Sequence, residues 1–220
     1  MCDNSRVILP LNCLISYCPN FGVKLTPLID LLVEIGCMHG RYLNWAIQHQ
    51  KRYIGLDIVT RYIESGRSTV VKLALPSEAY QFILGRAEEV SKIVHPNEYG
   101  ILPNRCLLWF PFNSFGNTEN SLLVLQELKR ANLPFCISSY QTTEGATSSR
   151  EQYYCACGYR NIQVAKNEQG ICFFSPDGLR SMAYHPEYLQ HLCVLCGLQI
   201  TTTLFARIGV AYQGHVQASI

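Results

Sequence analysis

From Leu31 to Tyr140, apolar runs of about five residues alternate with longer amphipathic stretches, which restricts the chain to βα units stacked into a mostly parallel sheet. The runs are Leu31–Ile35, Tyr53–Asp57, Tyr80–Leu84, Cys106–Phe110 and Phe135–Tyr140. Between the first two, residues 41–50 carry Tyr42, Leu43, Trp45, Ala46 and Ile47 on one helical stripe. Further helices are expected over about residues 59–73, 87–94 and 118–132, the last capped by Thr118. Beyond Tyr140 the pattern loosens into a polar run, Thr142–Gln152, and a hairpin around Asn167–Gly170, which read as an insertion over residues 142–184. His185-Pro186 then opens a helix that stops near Gly197, and strands are expected over about residues 198–206 and 209–212.

A hydrophobic share of 48% in 220 residues is enough to bury a full core, so one domain is expected and the 11 cysteines read as reduced thiols. Cys155, Cys157, His191, Cys193 and Cys196 are the one metal-like constellation. Structural zinc ligands usually sit on tight turns, whereas a cysteine on a helix is more often a small core residue, so no metal site is expected. The net charge of +2, from 18 basic and 16 acidic residues, includes no block of like charge. That excludes an obvious footprint for nucleic acid and favours a small acceptor. Pro10, Asn12 and Pro19 interrupt the apolar amino terminus, leaving it too broken for a signal peptide or a spanning helix, so a cytoplasmic protein without a membrane partner is expected.

The chemistry gathers at the ends of the first three runs, where open α/β sheets bind ligands. Glu34 through Gly40 is an acidic strand end followed by a glycine turn, which lets backbone amides approach a ligand while Glu34 organises hydrogen bonds around an ammonium group. Asp57 ends the second run, where a carboxylate can grip both hydroxyls of a ribose. Gly85-Arg86-Ala87-Glu88 follows the third, where a backbone amide can reach an adenine edge.

Val33-Glu34-Ile35-Gly36-Cys37-Met38-His39-Gly40, Gly55-Leu56-Asp57, Gly85-Arg86-Ala87-Glu88 and Phe110-Pro111-Phe112-Asn113-Ser114 resemble, in order and spacing, the successive motifs of class I S-adenosylmethionine-dependent methyltransferases. The resemblance covers about residues 28–140 and implies a three-layer α/β, Rossmann-like sheet, mostly parallel and closed by an antiparallel C-terminal strand within Ile200–Tyr212. It implies S-adenosylmethionine as cofactor. Glu34, Gly36 and Gly40, with Cys37 and Met38 in the same turn, would hold the methionine part. Asp57 with Ile58 would hold the ribose, Arg86, Ala87 and Glu88 the adenine region, and Pro111, Phe112 and Asn113 would lie beside the sulfonium. Met38 departs from the pattern by standing where relatives carry a middle glycine, and Arg86 by standing where many carry an acid or amide. A similar Gly-Arg-Ala-Glu-Glu run occurs in methyltransferases of guanine N7 in small-subunit rRNA, but the missing basic patch argues against an RNA acceptor. A nicotinamide dinucleotide would need Gly-x-Gly-x-x-Gly, whereas Gly36 and Gly40 are separated by Cys37, Met38 and His39.

Methyl transfer is an in-line displacement that asks the protein chiefly to position the acceptor and exclude water. Sequence order places Asn113 and Tyr140 to face the acceptor as candidate catalytic residues, with Tyr17 reaching it from an amino-terminal lid over residues 1–27. Each has an ordinary alternative: Asn113 as a turn cap, the tyrosines as packing at core edges. The insertion carries Tyr153, Tyr154, Phe173, Phe174 and Tyr184, an aromatic surface expected to recognise a small molecule methylated at N or O. The same aromatics would equally suit a homodimer interface. An RNA or protein methyltransferase and a non-catalytic binding module stay open as alternatives.

Overall fold

The five apolar runs form strands β1 (Leu31–Ile35), β2 (Arg52–Asp57), β3 (Tyr80–Leu84), β4 (Cys106–Phe110) and β5 (Phe135–Tyr140) in a computed structural model that describes residues 28–216. The lid expected over residues 1–27, with Tyr17, lies outside the described residues. Helices α1 (Leu43–Gln48), α2 (Thr60–Lys72), α3 (Val90–Ile93) and α4 (Ser121–Ala131) connect the strands. After β5 come α5 (Glu144–Ala156), the short strands β6 (Gln163–Asn167), β7 (Gly170–Phe174) and β8 (Arg180–Tyr184), helix α6 (Pro186–Leu195), and strands β9 (Leu198–Phe205) and β10 (Gly209–Val216).

Seven strands make one sheet in the order β3-β2-β1-β4-β5-β10-β9. Strands β1 to β5 run parallel, and β10 is antiparallel to both β5 and β9. Side chains on a strand alternate between faces, so β1 sends Leu31, Val33 and Ile35 into one core and Leu32 into another. The first core takes Val90 from α3 and Val124, Leu125 and Leu128 from α4, and the second takes Leu43 and Ala46 from α1 and Ile63 and Val70 from α2. Covered on both faces, the parallel strands have no polar side to display, which is why they read as continuous apolar runs. Among the described residues no helix is long and apolar enough to cross a membrane.

Two expectations need correction, and a third is extended. The cap of α4 is Asn120, whose side chain accepts from the Leu123 amide at 3.0 Å, while the Thr118 hydroxyl donates to the Phe115 carbonyl. The polar run after β5 is largely helical: Thr143 caps α5 by accepting from the Ala146 amide, and Ala146, Arg150 and Tyr154, spaced by four, form its buried face. The anticipated hairpin is two thirds of a separate antiparallel sheet, β6-β7-β8.

Candidate active site

Helix α1 leaves β1 toward one face of the sheet and α4 follows β4 on the other, so the crevice that open α/β sheets use for ligands lies between the carboxyl ends of these neighbouring strands. The turn after β1 presses directly on the loop after β4. Gly36 has φ +78°, and a Cβ there would come within 2.8 Å of the Ser114 Cβ. Gly40, at φ +85°, would place a Cβ 2.5 Å from the Phe82 ring. Between them Met38 adopts φ +51° without being a glycine. Its backbone conformation is held by a charge-assisted bond, the Met38 amide donating to Asp57 Oδ2 at 2.8 Å.

Asp57 also accepts from the Val59 amide, at 2.9 Å on Oδ1. One buried carboxylate thus ties the glycine turn to the start of α2, and each of its oxygens keeps a second lone pair for a ligand. Asp57 lines a cavity of about 330 Å³, within the ~300–1,000 Å³ usual for small-molecule sites. Gly36, Met38, Ile58, Arg86, Ala87, Glu88, Pro111 and Phe112 line the same cavity, so nine of the sequence-derived cofactor positions meet in one place. At its rim Arg86 pairs with Glu119 and lies 3.8 Å from Glu88.

Glu34, Cys37 and Gly40 stand behind the cavity and do not line it. Glu34 is fully buried; its Oε2 accepts from the Tyr42 amide at 3.0 Å and the Tyr53 hydroxyl at 2.6 Å, and Oε1 has no partner. Burial pushes its carboxyl up to about 8, outweighing the two hydrogen bonds that favour the charged form. Cys37 is a buried packing residue whose thiol burial holds well above the usual range, so it stays protonated. Arg41 and Glu119 also line the cavity and were not anticipated. Arg41 is adjacent to the glycine turn and within reach of a longer motif, whereas no local pattern marks Glu119, 62 residues beyond Asp57.

Among solved structures, the chain is similar over 96% of its length to 93% of a protein from Pyrococcus horikoshii OT3, at TM-score 0.63 and 12% identity. It is similar over 94% of its length to 94% of a SAM-dependent methyltransferase from Aquifex aeolicus, at TM-score 0.56 and 13% identity. It also matches magnesium protoporphyrin IX methyltransferase from Synechocystis PCC 6803 with bound SAH, at TM-score 0.59 and 12% identity, covering 94% of this chain and 82% of that one. No sequence-family profile and no curated protein sequence matches the chain. The chain has the class I methyltransferase fold.

Within this methyltransferase fold the insertion is stitched to the loop after β4. Asn113, buried at φ +67°, donates from Nδ2 to Ser181 Oγ at 2.7 Å, accepts on Oδ1 from the Ser139 hydroxyl at 2.6 Å, and donates its amide to the Ser138 carbonyl. Tyr154 of α5 donates to the same Ser181 oxygen at 2.7 Å. Asn113 does not line the cavity; its side chain is spent on bracing β5 and β8 against the loop that carries Phe112. Asn113→Ala is therefore expected to lower stability by about 1–3 kcal/mol, the cost of leaving the buried Ser139 hydroxyl without its acceptor, as read from denaturant midpoints. Tyr140 packs edge-on against Phe112, with ring centroids 4.7 Å apart, and its other neighbour is the Arg150 guanidinium, 5.0 Å from its ring. Burial pushes the Tyr140 hydroxyl well above its ordinary range, so it stays neutral and is unsuited to take a proton. Arg150 is itself fully buried, donating to the Ile171 and Ser181 carbonyls and stacked on Phe173, which locks α5 onto the small sheet. Among the described residues no group of three or more His, Cys, Asp or Glu could hold a metal ion.

Proposed function

We propose that the chain binds S-adenosylmethionine in the 330 Å³ cavity and transfers its methyl group to N or O of a small acceptor. The observation that carries this reading is the convergence of the glycine turn, Asp57, residues 85–88 and the Pro111–Phe112 loop on that one cavity at the carboxyl ends of β1 to β4. The residues present fit the cofactor. The free lone pairs of Asp57 suit ribose hydroxyls, Ile58 and Ala87 offer apolar faces to the adenine with Glu88 beside them, and Pro111 and Phe112 form the wall toward the acceptor. Gly36, which has no room for a Cβ, lets the backbone come close to the methionine arm.

When bound, the cofactor supplies an electrophilic methyl group on a sulfonium. The protein's part is to hold the acceptor in line and keep water out. Phe112 and Tyr140, backed by Arg150, make a rigid aromatic wall for this, braced by Asn113. Neither Asn113 nor Tyr140 is free to act as a base, which favours an acceptor that arrives as a free amine or an easily ionised hydroxyl. Residues 142–184, joined to that wall by the Asn113–Ser181 hydrogen bond and by Arg150 over the Tyr140 ring, are the segment we assign to acceptor recognition.

Thermal unfolding tests the reading. S-adenosylhomocysteine at 100 times its dissociation constant should add about 2.7 kcal/mol and raise Tm by roughly 5–11 °C, with NAD producing no shift. A rise with NAD alone, or with neither, would remove the cofactor assignment.

A further inference from the structure

Two cationic side chains line the cavity, and they are in different states. Arg86 is engaged by Glu119 and Glu88. Arg41 has no carboxylate within ion-pair distance among the described residues; its one side-chain hydrogen bond runs from Nη2 to the Met38 thioether at 3.8 Å. A thioether sulfur is a weak acceptor, so this contact holds the guanidinium in place without satisfying it. Arg41 directly follows Gly40 and is half-buried against the turn that the proposed function gives to the methionine arm. A half-buried guanidinium at a cavity wall, lacking a counter-charge, is a ready partner for a carboxylate, which it can take through two parallel N–H···O bonds.

We propose that Arg41 is the carboxylate-binding residue of this site, gripping the α-carboxylate of the cofactor's methionine arm, with Met38 as the residue that parks its guanidinium beforehand. This rests on the cofactor reading above. It also gives Met38 a use. At φ +51° a glycine would be less strained, but a glycine offers no sulfur to hold Arg41 at the wall. On binding, the weak N–H···S contact is exchanged for charge-assisted bonds, so the guanidinium gains a partner without having to be gathered from solvent.

The test compares two ligands by titration calorimetry on the full chain: S-adenosylhomocysteine, and 5′-methylthioadenosine, which shares the nucleoside and thioether but lacks the amino-acid arm. Arg41→Ala should weaken S-adenosylhomocysteine by about 10- to 150-fold, the range for hydrogen bonds between charged groups. It should leave 5′-methylthioadenosine unchanged, and that unchanged binding also certifies that the variant is folded. Arg41→Lys should recover part of the loss, because charge is kept while the two-pronged geometry is not. Equal weakening of both ligands would make Arg41 a frame of the turn and overturn the proposal, as would unchanged S-adenosylhomocysteine affinity in Arg41→Ala. If the unmodified protein bound neither ligand, the cofactor reading would fall first and the proposal with it.

Discussion

Replacing Asp57 with Ala is expected to cost about 3–6 kcal/mol of stability, at ~1.5–3 kcal/mol for each hydrogen bond to a charged group, and to weaken S-adenosylhomocysteine by about 10- to 150-fold. The size follows from double duty. The same two oxygens that would meet the ribose already hold the Met38 and Val59 amides, so removing them loosens the glycine turn as well as the ligand contact. Asp57→Asn separates the two roles. Its one carbonyl oxygen can serve one amide, but its NH2 then faces the other donor to donor, whichever way the side chain is flipped. It should fall between wild type and Asp57→Ala in both denaturant midpoint and calorimetric affinity. Full stability in Asp57→Ala would show that the turn is held by something other than these bonds.

Glu34 should make the protein less stable as pH rises. In the unfolded chain its carboxyl ionises near 4.5, and burial moves it to about 8 in the fold. Between those values the unfolded state has lost the proton and the folded state keeps it, so stability falls with pH by about 1.4 kcal/mol per unit, on the order of 5 kcal/mol in all. Tyr53, Tyr42 and the charge of Arg41 oppose the shift and Asp57 adds to it, but desolvation dominates. Glu34→Gln keeps an acceptor for the Tyr42 amide and the Tyr53 hydroxyl and is neutral at every pH. It should match wild type near pH 4.5, gain steadily through the window and level off above pH 8. The measurement is the difference in unfolding free energy between the two proteins across that range, which cancels every other titrating group. A constant difference would mean that Glu34 is charged in the fold throughout.

What the sequence makes legible depends on whether the signal is local. All five βα-unit strands were readable, four of them to the residue, because strands covered on both faces are marked by unbroken apolar runs. Helix α5 was not, because the centre of its buried face is Arg150; an arginine reads as polar until Phe173 and the Ile171 and Ser181 carbonyls surround it, 21 to 31 positions away in the chain. Asp57 and the glycine turn stood out by type and spacing, whereas Glu119 enters the cavity only because the loop before α4 folds back over residues 85–88.

The sequence by itself determined the order of elements through β5, the layered α/β architecture and the strand ends at which the site would form, since those follow from periodicity and from the glycine turn. Only the tertiary structure decided which side chains have atoms to spare. Glu34 is sealed behind the turn, Asn113 and Tyr140 are committed to packing and bracing, and Arg41 stands at the wall with no carboxylate paired to it among the described residues. Hydrogen-bond saturation and desolvation are set by neighbours distant in sequence, and no run of residues encodes them locally.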